Sequence, residues 1–431
     1  MDPSTIGLLV VVLFLGAIAA GMPVFIAMGL AAFCGNIVLG GFWQALQNAA
    51  LRSYQGLDSF VLLAVPLYVL TGTLLQATGL SGRLFRAAAA WTAGLPGGLA
   101  VATIVACAIF ASISGSSVAT AATIGLIAMP ALVARGYTAP FAGALIAAGG
   151  TLGILIPPSI AFILYGLLTD QSVGALFMAG IVPGLLLALC MAAWAALSAG
   201  RGLSEARVPM AERMAATCAA GPVLALPLLI FVGIYGGFAT PTEIAAIAVF
   251  YTLLAGLFTR TLSVAGMRQA TMEAVRTSSM IIMLVGFGFL LTEFYTATRL
   301  PQAATDLIAG AGLGKFGVVT LMVIFYLVLG MFLEALSMML VTVPILYPVA
   351  MGVGIHPLVF GVFVVLAMEA ALITPPVGMN LFTLSTIGKV PFGPLSRSAL
   401  PYVGLMIAAM YTVVYFPALS TYLPGTMGIG K

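Results

Sequence analysis

Two proline pairs mark the places in this sequence where residue types and spacing can do chemistry. Pro157 and Pro158 lie in GTLGILIPPS (Gly150–Ser159), Pro375 and Pro376 in ITPPVGMN (Ile373–Asn380), each within an apolar region of membrane-helix length. Upstream of each stands a polar segment in another apolar region, SISGSSVAT (Ser112–Thr120) and FLEALSM (Phe332–Met338). A helix that stops inside a membrane exposes unpaired carbonyls at one end and unpaired amides at the other, and hydrocarbon satisfies neither. Carbonyl ends with Ser and Thr hydroxyls suit a small hard cation such as sodium. Amide ends, at the positive end of the helix dipole, suit a carboxylate. Pro158 and Pro376 fit such breaks: they lack an amide donor, favour a first helical turn and keep the preceding residue out of helical geometry. Either pair alone also reads as a kink packed on a neighbour, and Ser114, Ser116, Ser117 and Thr120 as small residues at a close helix contact.

The acids at membrane depth call for the same weighing, because a carboxylate there is costly unless paired or used. Glu334 aligns with Ser116 and would cap amides, contact a cation or titrate, capping being the simplest of these. Glu243 follows Thr240 by three residues in TPTE, a capping-box pattern. Glu369 lies five residues before Thr374 and would organise the second break, while Glu293 has no assignment. The single histidine, His356, precedes Pro357 and reads as a turn at a helix start, with a proton relay as the alternative. Cys34, Cys107, Cys190 and Cys218 have no CxxC spacing and read as small core residues, not a disulfide or metal framework. No nucleophile, base and metal set can be assembled, so an intramembrane enzyme is remote.

The elements that must position these residues follow from composition. A chain of 431 residues, 62% hydrophobic and 6% charged, has no water-facing surface to spare, and its loops are too short for a soluble domain. This is an all-α polytopic membrane protein. MDPSTIGLLVVVLF carries no basic leader and reads as a retained first span, with no lipidation motif. Place the N-terminus outside and make residues 98–134 and 316–352 re-entrant hairpins, and eleven of the fifteen Lys and Arg face the cytoplasm. Both termini are then periplasmic. The net charge of +4 is explained by topology and argues for neither nucleic acid nor an acidic partner.

Prolines also reveal a repeat. Pro23 and Pro241, Pro130 and Pro348, Pro157 and Pro375, Pro158 and Pro376, and Pro183 and Pro401 are each 218 apart. Chance would align about 0.7 such pairs, so five is the mark of an internal repeat. The expected organisation is a first repeat over 1–200, with hairpin 98–134 and broken helix 140–170. A basic, amphipathic cytoplasmic linker follows over 201–216. A second repeat over 217–431 has hairpin 316–352 and broken helix 357–388. The first repeat starts outside and the second inside, so the two are inverted, an architecture of alternating-access transporters.

At these motifs the sequence closely resembles the large membrane subunit, DctM type, of tripartite ATP-independent periplasmic (TRAP) transporters. The resemblance covers essentially the whole chain, through RSYQGLDSFVLLAVPLYVLTG (Arg52–Gly72), ISGSSVATAATIG (Ile113–Gly125), GTLGILIPPS, FATPTEIAA (Phe238–Ala246), FLEALSMMLVTVPILYPV (Phe332–Val349) and ITPPVGMNLF (Ile373–Phe382). It implies an elevator-type, sodium-coupled secondary transporter of a bacterial inner membrane, with a transport domain sliding on a scaffold. It further implies a small membrane subunit, here expected as a separate chain, and a periplasmic solute-binding protein that delivers a carboxylated small molecule. No organic cofactor is implied, only Na+ as coupling ion and the lipid bilayer as solvent. The first sodium site would use Ser114, Gly115 and Ser116 with backbone from Gly150, Gly153, Ile156 and Pro157. The second would use Gly330 and Glu334 with Thr374, Pro376, Gly378 and Met379. Substrate would lie near Ser116, Ser117, Thr151, Ala335 and Asn380. No arginine occupies a tip or a break, so the solute carboxylate would rest on hydroxyls, amides and helix ends, or on Arg52 or Arg299 approaching from elsewhere. A passive channel would need a continuous polar ring instead. A divalent-anion/sodium symporter of the same broken-helix plan would need no binding protein, and the solute itself stays open among dicarboxylates, keto acids, sialic acid and other sugar acids.

Overall fold

The computed structural model describes residues 3–199 and 206–426, and every regular element among them is a helix. Among the described residues, eight helices are long and apolar enough to cross a membrane, or nine if the bent pair Ala139–Leu155 and Ile160–Thr169 is one span. The chain is a multi-pass membrane protein.

Its centre is made by Ala139–Leu155 and Pro357–Leu372. Apart from Thr151 and Glu369 both are apolar, and a helix with no polar face is stable when enclosed on every side. Residues 142–155 and 358–372 are accordingly buried without exception. Two hairpins pack against them, Gly98–Ser114 with Ser117–Ala134 and Lys315–Leu329 with Ala335–Gly352. After breaks in the central helices come the shorter arms Ile160–Thr169 and Met379–Gly388, the first bent by 42°. Val173–Ser198 and Phe392–Tyr415 close this group. Close approach depends on missing side chains: a Cβ on Gly153 would stand 2.3 Å from Ala111 Cβ, and one on Gly330 would stand 2.2 Å from Ala371 Cβ.

A second group is organised by Val264–Ala297, 34 residues long, which packs on Val24–Gly40, Phe42–Leu57 and Ala64–Thr78. Pro241–Phe258 also lies on Ala64–Thr78, and Met210–Tyr235 on Ser81–Thr92. The start of Pro241–Phe258 is set locally: Thr240 Oγ1 accepts from the Glu243 amide and Glu243 Oε2 accepts from the Thr240 amide, the reciprocal pair that the TPTE spacing predicts.

Helix limits recur along the chain. Ser117–Ala134 and Ala335–Gly352 begin and end 218 residues apart. Val24–Gly40 with Pro241–Phe258, Ser81–Thr92 with Leu300–Gly310, and Ile160–Thr169 with Met379–Gly388 keep the same spacing to within a residue or so. The linker departs from expectation. Residues 201–205 lie outside the described residues, Ala206–Pro209 is not helical, and residues 210–216 open the long helix Met210–Tyr235 instead of forming a separate interfacial helix. They are anchored by Arg213 over the Trp91 ring at 5.8 Å and by Trp91 Nε1 donating to Thr217 Oγ1 at 2.8 Å. An Arg and a Trp meeting where an apolar run begins suit a membrane–water boundary, so the helix runs on into the span.

Candidate functional site

The first hairpin turns at Gly115, whose φ of +60° belongs to the left-handed region that a side chain disfavours. Ser116 then takes extended geometry and caps Ser117–Ala134, its hydroxyl accepting from the Ala119 amide at 3.3 Å. Ser114 Oγ and Thr120 Oγ1 close the turn at 2.8 Å. The second hairpin turns after Leu329, and Glu334 holds the matching position at the start of Ala335–Gly352. Its side chain does not cap an amide. Being longer than the usual capping groups, it reaches the side chain three residues on, where Ser337 Oγ donates to Oε1 at 3.0 Å.

The breaks differ from one another. In the first, residues 156–159 are irregular, and Ser159 caps Ile160–Thr169 by accepting from the Phe162 amide at 3.3 Å. In the second, Met379–Gly388 begins after Gly378, at φ +54° and with no side chain to cap it. Both Pro–Pro bonds are cis. Thr374 Oγ1 donates to the Ala370 carbonyl at 2.6 Å, holding the last turn of Pro357–Leu372.

The tips and breaks converge on a cavity of about 480 Å³. One wall holds Ser114 to Ala119, Glu334 to Leu336, Ile154, Ile160, Leu372 and Met379; the other is formed by Val69, Gly72, Thr73 and Gln76 of Ala64–Thr78 and by Glu273, Thr277, Met280 and Ile281 of Val264–Ala297. Four helices therefore start at this cavity, at Ser117, Ile160, Ala335 and Met379, while two end there, at Ser114 and Leu372. Amide ends and carbonyl ends face one space, which equips it for an anion and for cations together. Among the described residues, its charged lining groups are Glu273 and Glu334, with no Lys, Arg or His.

Of the residues singled out in the sequence, Ser114, Gly115, Ser116, Ser117, Glu334, Ala335 and Met379 line this cavity. The others form the layer behind or beside it. Gly150 lets its helix approach the Ser117 carbonyl, Gly153 packs on Ala111 and Gly330 on Ala371. Ile156 and Pro157 are half-buried in the first break, whereas Pro376 is exposed in the second. Thr151, 1% exposed, donates to the Ala148 carbonyl at 2.6 Å, and Asn380, fully buried, donates to the Ala147 carbonyl at 3.4 Å. Glu369, expected to organise the second break, instead accepts a hydrogen bond on Oε2 from Ser117 Oγ of the first hairpin. Arg52 is held by Glu293 at 3.0 Å and Arg299 precedes Leu300–Gly310; neither lines the cavity. His356 caps Pro357–Leu372, Nδ1 accepting from the Leu358 amide at 3.2 Å, and partial burial holds its imidazole below the usual range. Sequence reasoning missed Gln76, Glu273 and Thr277. The signal for Gln76 was its amide within the otherwise apolar run LTGTLLQAT.

The sequence and the fold both resemble known proteins. The family described as "Tripartite ATP-independent periplasmic transporter, DctM component" matches residues 11–419. The isethionate TRAP transporter permease protein DctMQ of Oleidesulfovibrio alaskensis is 36% identical over 412 residues, 95% of this chain but 65% of that longer protein. The C4-dicarboxylate TRAP transporter large permease protein DctM of Pseudomonas aeruginosa is 35% identical over 389 residues, 90% of this chain and 91% of that one. The crystal structure of the YdaH transporter of Alcanivorax borkumensis aligns over 95% of this chain and 99% of that one, with a TM-score of 0.67 at 14% identity, a likeness of fold.

Proposed function

The chain belongs to the DctM component family of tripartite ATP-independent periplasmic transporters, and from that premise we propose that it is the large membrane subunit of a sodium-coupled importer of an anionic, carboxylated solute. It is a transport permease and not an enzyme. The observation that carries the proposal is the convergence of four helix starts and two helix ends on one cavity whose lining, among the described residues, has no basic side chain. An anion there is held by amides, hydroxyls and the positive ends of helices, and the carboxyl of Glu334 and the carbonyl ends are left for sodium. The first sodium site in this reading is Ser114, Gly115 and Ser116 with backbone of the first break. The second is Gly330, Glu334, Thr374, Pro376, Gly378 and Met379. A small membrane subunit and a periplasmic binding protein complete the system. The relatives' solutes, isethionate and C4-dicarboxylates, share negative charge and little else, which supports assigning solute choice largely to the binding protein.

Movement in this reading is of the elevator kind. The hairpins and broken helices form the moving body, and the group around Val264–Ala297 forms the scaffold. The recurrence of helix limits at 218 residues supports two inverted repeats able to exchange outward-open and inward-open arrangements. The test is uptake in proteoliposomes carrying the chain with its small subunit and binding protein. Ser116→Ala or Thr374→Ala is expected to abolish sodium-driven uptake while membrane insertion stays intact. Unchanged rate and sodium affinity in both variants would sink the proposed sites.

A further inference from the structure

Glu369 is an enclosed carboxyl to which the transport reading gives no role. It is 1% exposed, near the end of Pro357–Leu372, with Oε2 accepting from Ser117 Oγ and Oε1 without a hydrogen-bond partner. No Lys or Arg among the described residues pairs with it. An ionised carboxylate enclosed in this way is among the costliest groups a membrane interior can hold. The surrounding helices offer it no charge. Ser117–Ala134, Ala139–Leu155 and Met379–Gly388 carry no ionisable side chain. The other neighbours bring phenols: Tyr165 and Tyr326 spend their hydroxyls on the Pro357 carbonyl and on Thr342, Tyr347 is half-buried, and the Tyr402 hydroxyl is unpartnered. Lys315 lies over the Tyr415 ring and Arg397 is exposed. Glu334, at the second hairpin tip, is bonded to Ser337.

Ser117 stands between this carboxyl and the cavity. It lines the cavity, it is the first residue of Ser117–Ala134, and its one hydroxyl proton is committed to Glu369. A hydroxyl so committed offers an anion only lone pairs. With a proton on Oε2 the bond reverses: Glu369 donates to Ser117 Oγ, and the serine's own hydrogen turns toward the cavity. We propose that Glu369 is a proton-binding site behind the solute site, which makes Ser117 a donor to the anionic solute when protonated and withdraws that donor when the proton leaves. The proton is relayed, with no other bond changed: hydronium in the cavity gives a proton to Ser117 Oγ and leaves as water, as the serine passes its hydrogen to Oε2. The proposal rests on reading the cavity as the solute site.

The test uses the chain with its small subunit in lipid nanodiscs, at fixed sodium, titrated from mildly acidic to mildly alkaline pH. Infrared difference spectra of the unmodified protein are expected to show a neutral carboxylic-acid carbonyl band that fades on the alkaline side, is missing in Glu369→Gln and is shifted in Ser117→Ala. Binding of isethionate and of succinate is measured in parallel. The Kd of whichever probe binds is expected to rise about tenfold or more toward alkaline pH. It stays at its acidic value throughout in Glu369→Gln, whose amide donates with no proton to lose. A carboxylate band at every pH that moves with sodium would make Glu369 a cation ligand and overturn the proposal. So would a Glu369→Gln protein that keeps the pH dependence of binding while Ser117→Ala weakens it. Binding untouched by Ser117→Ala would refute the solute-site reading and the proposal with it. If Glu369→Gln fails to insert, the shift of the band in Ser117→Ala assigns it to Glu369.

Discussion

At Gly153 and Gly330 a helix from a neighbouring element occupies the space a side chain would take, and the contacting atoms, Ala111 Cβ and Ala371 Cβ, cannot rotate away. Gly153→Ala or Gly330→Ala must therefore push a hairpin off its broken helix, an overpacking cost of about 1–3 kcal/mol. We expect a lowered melting temperature for either purified variant, against no loss for Gly16→Ala, where nothing stands within 4 Å. Equal melting of all three would contradict the close packing. How far single residues were legible depends on how far away their partners lie. Glu243 was readable because Thr240 is three residues away. Ser116 was placed at a hairpin tip by its sequence, and the structure adds that it caps the next helix through Ala119, three residues on. Glu293 and Glu369 were not readable, since their partners Arg52 and Ser117 lie 241 and 252 residues off, and spacing along one helix carries no trace of such a contact.

At the scale of elements, the two breaks are unequal solutions to the same need. Ile160–Thr169 starts on a serine cap, while Met379–Gly388 starts on a glycine in left-handed geometry. Ser159→Ala should destabilise the protein by about 1 kcal/mol, because it orphans the Phe162 amide in a fully buried turn. Thermal unfolding checks this, and Ser159→Thr, which keeps the oxygen, should recover most of the loss. Break positions were visible in the sequence because proline restricts its own backbone and that of its predecessor, a local effect. The linker was not: where a helix starts near a membrane surface depends on the partner it meets, here Trp91 for Arg213.

Across the whole molecule, hydrogen bonds join the two halves within the group of hairpins and broken helices, at Ser117–Glu369, Asn380–Ala147 and Tyr165–Pro357, and within the second group, at Arg52–Glu293, Tyr68–Pro241 and Trp91–Thr217. Between that group and the proposed scaffold, Gln76 Nε2 donates to Thr123 Oγ1 at 2.8 Å and Gly72 approaches the Ser114 backbone. An elevator stroke must break the Gln76–Thr123 contact. Cysteines at both positions, in a background with Cys34, Cys107, Cys190 and Cys218 replaced, should crosslink with a short bifunctional reagent and lose uptake. Reduction of a cleavable linker should restore it, and full uptake while crosslinked would rule out relative motion there. The sequence by itself determined that this is an all-helical membrane protein, where its helices break and which polar residues accompany the breaks, because hydropathy, proline geometry and short-range capping act within a few residues. Only the tertiary structure decided that the tips and breaks face one cavity, that Gln76, Glu273 and Thr277 form its far wall, and that Glu369 sits behind Ser117. Those are contacts between segments tens to hundreds of residues apart, fixed by packing of the whole chain and by nothing local.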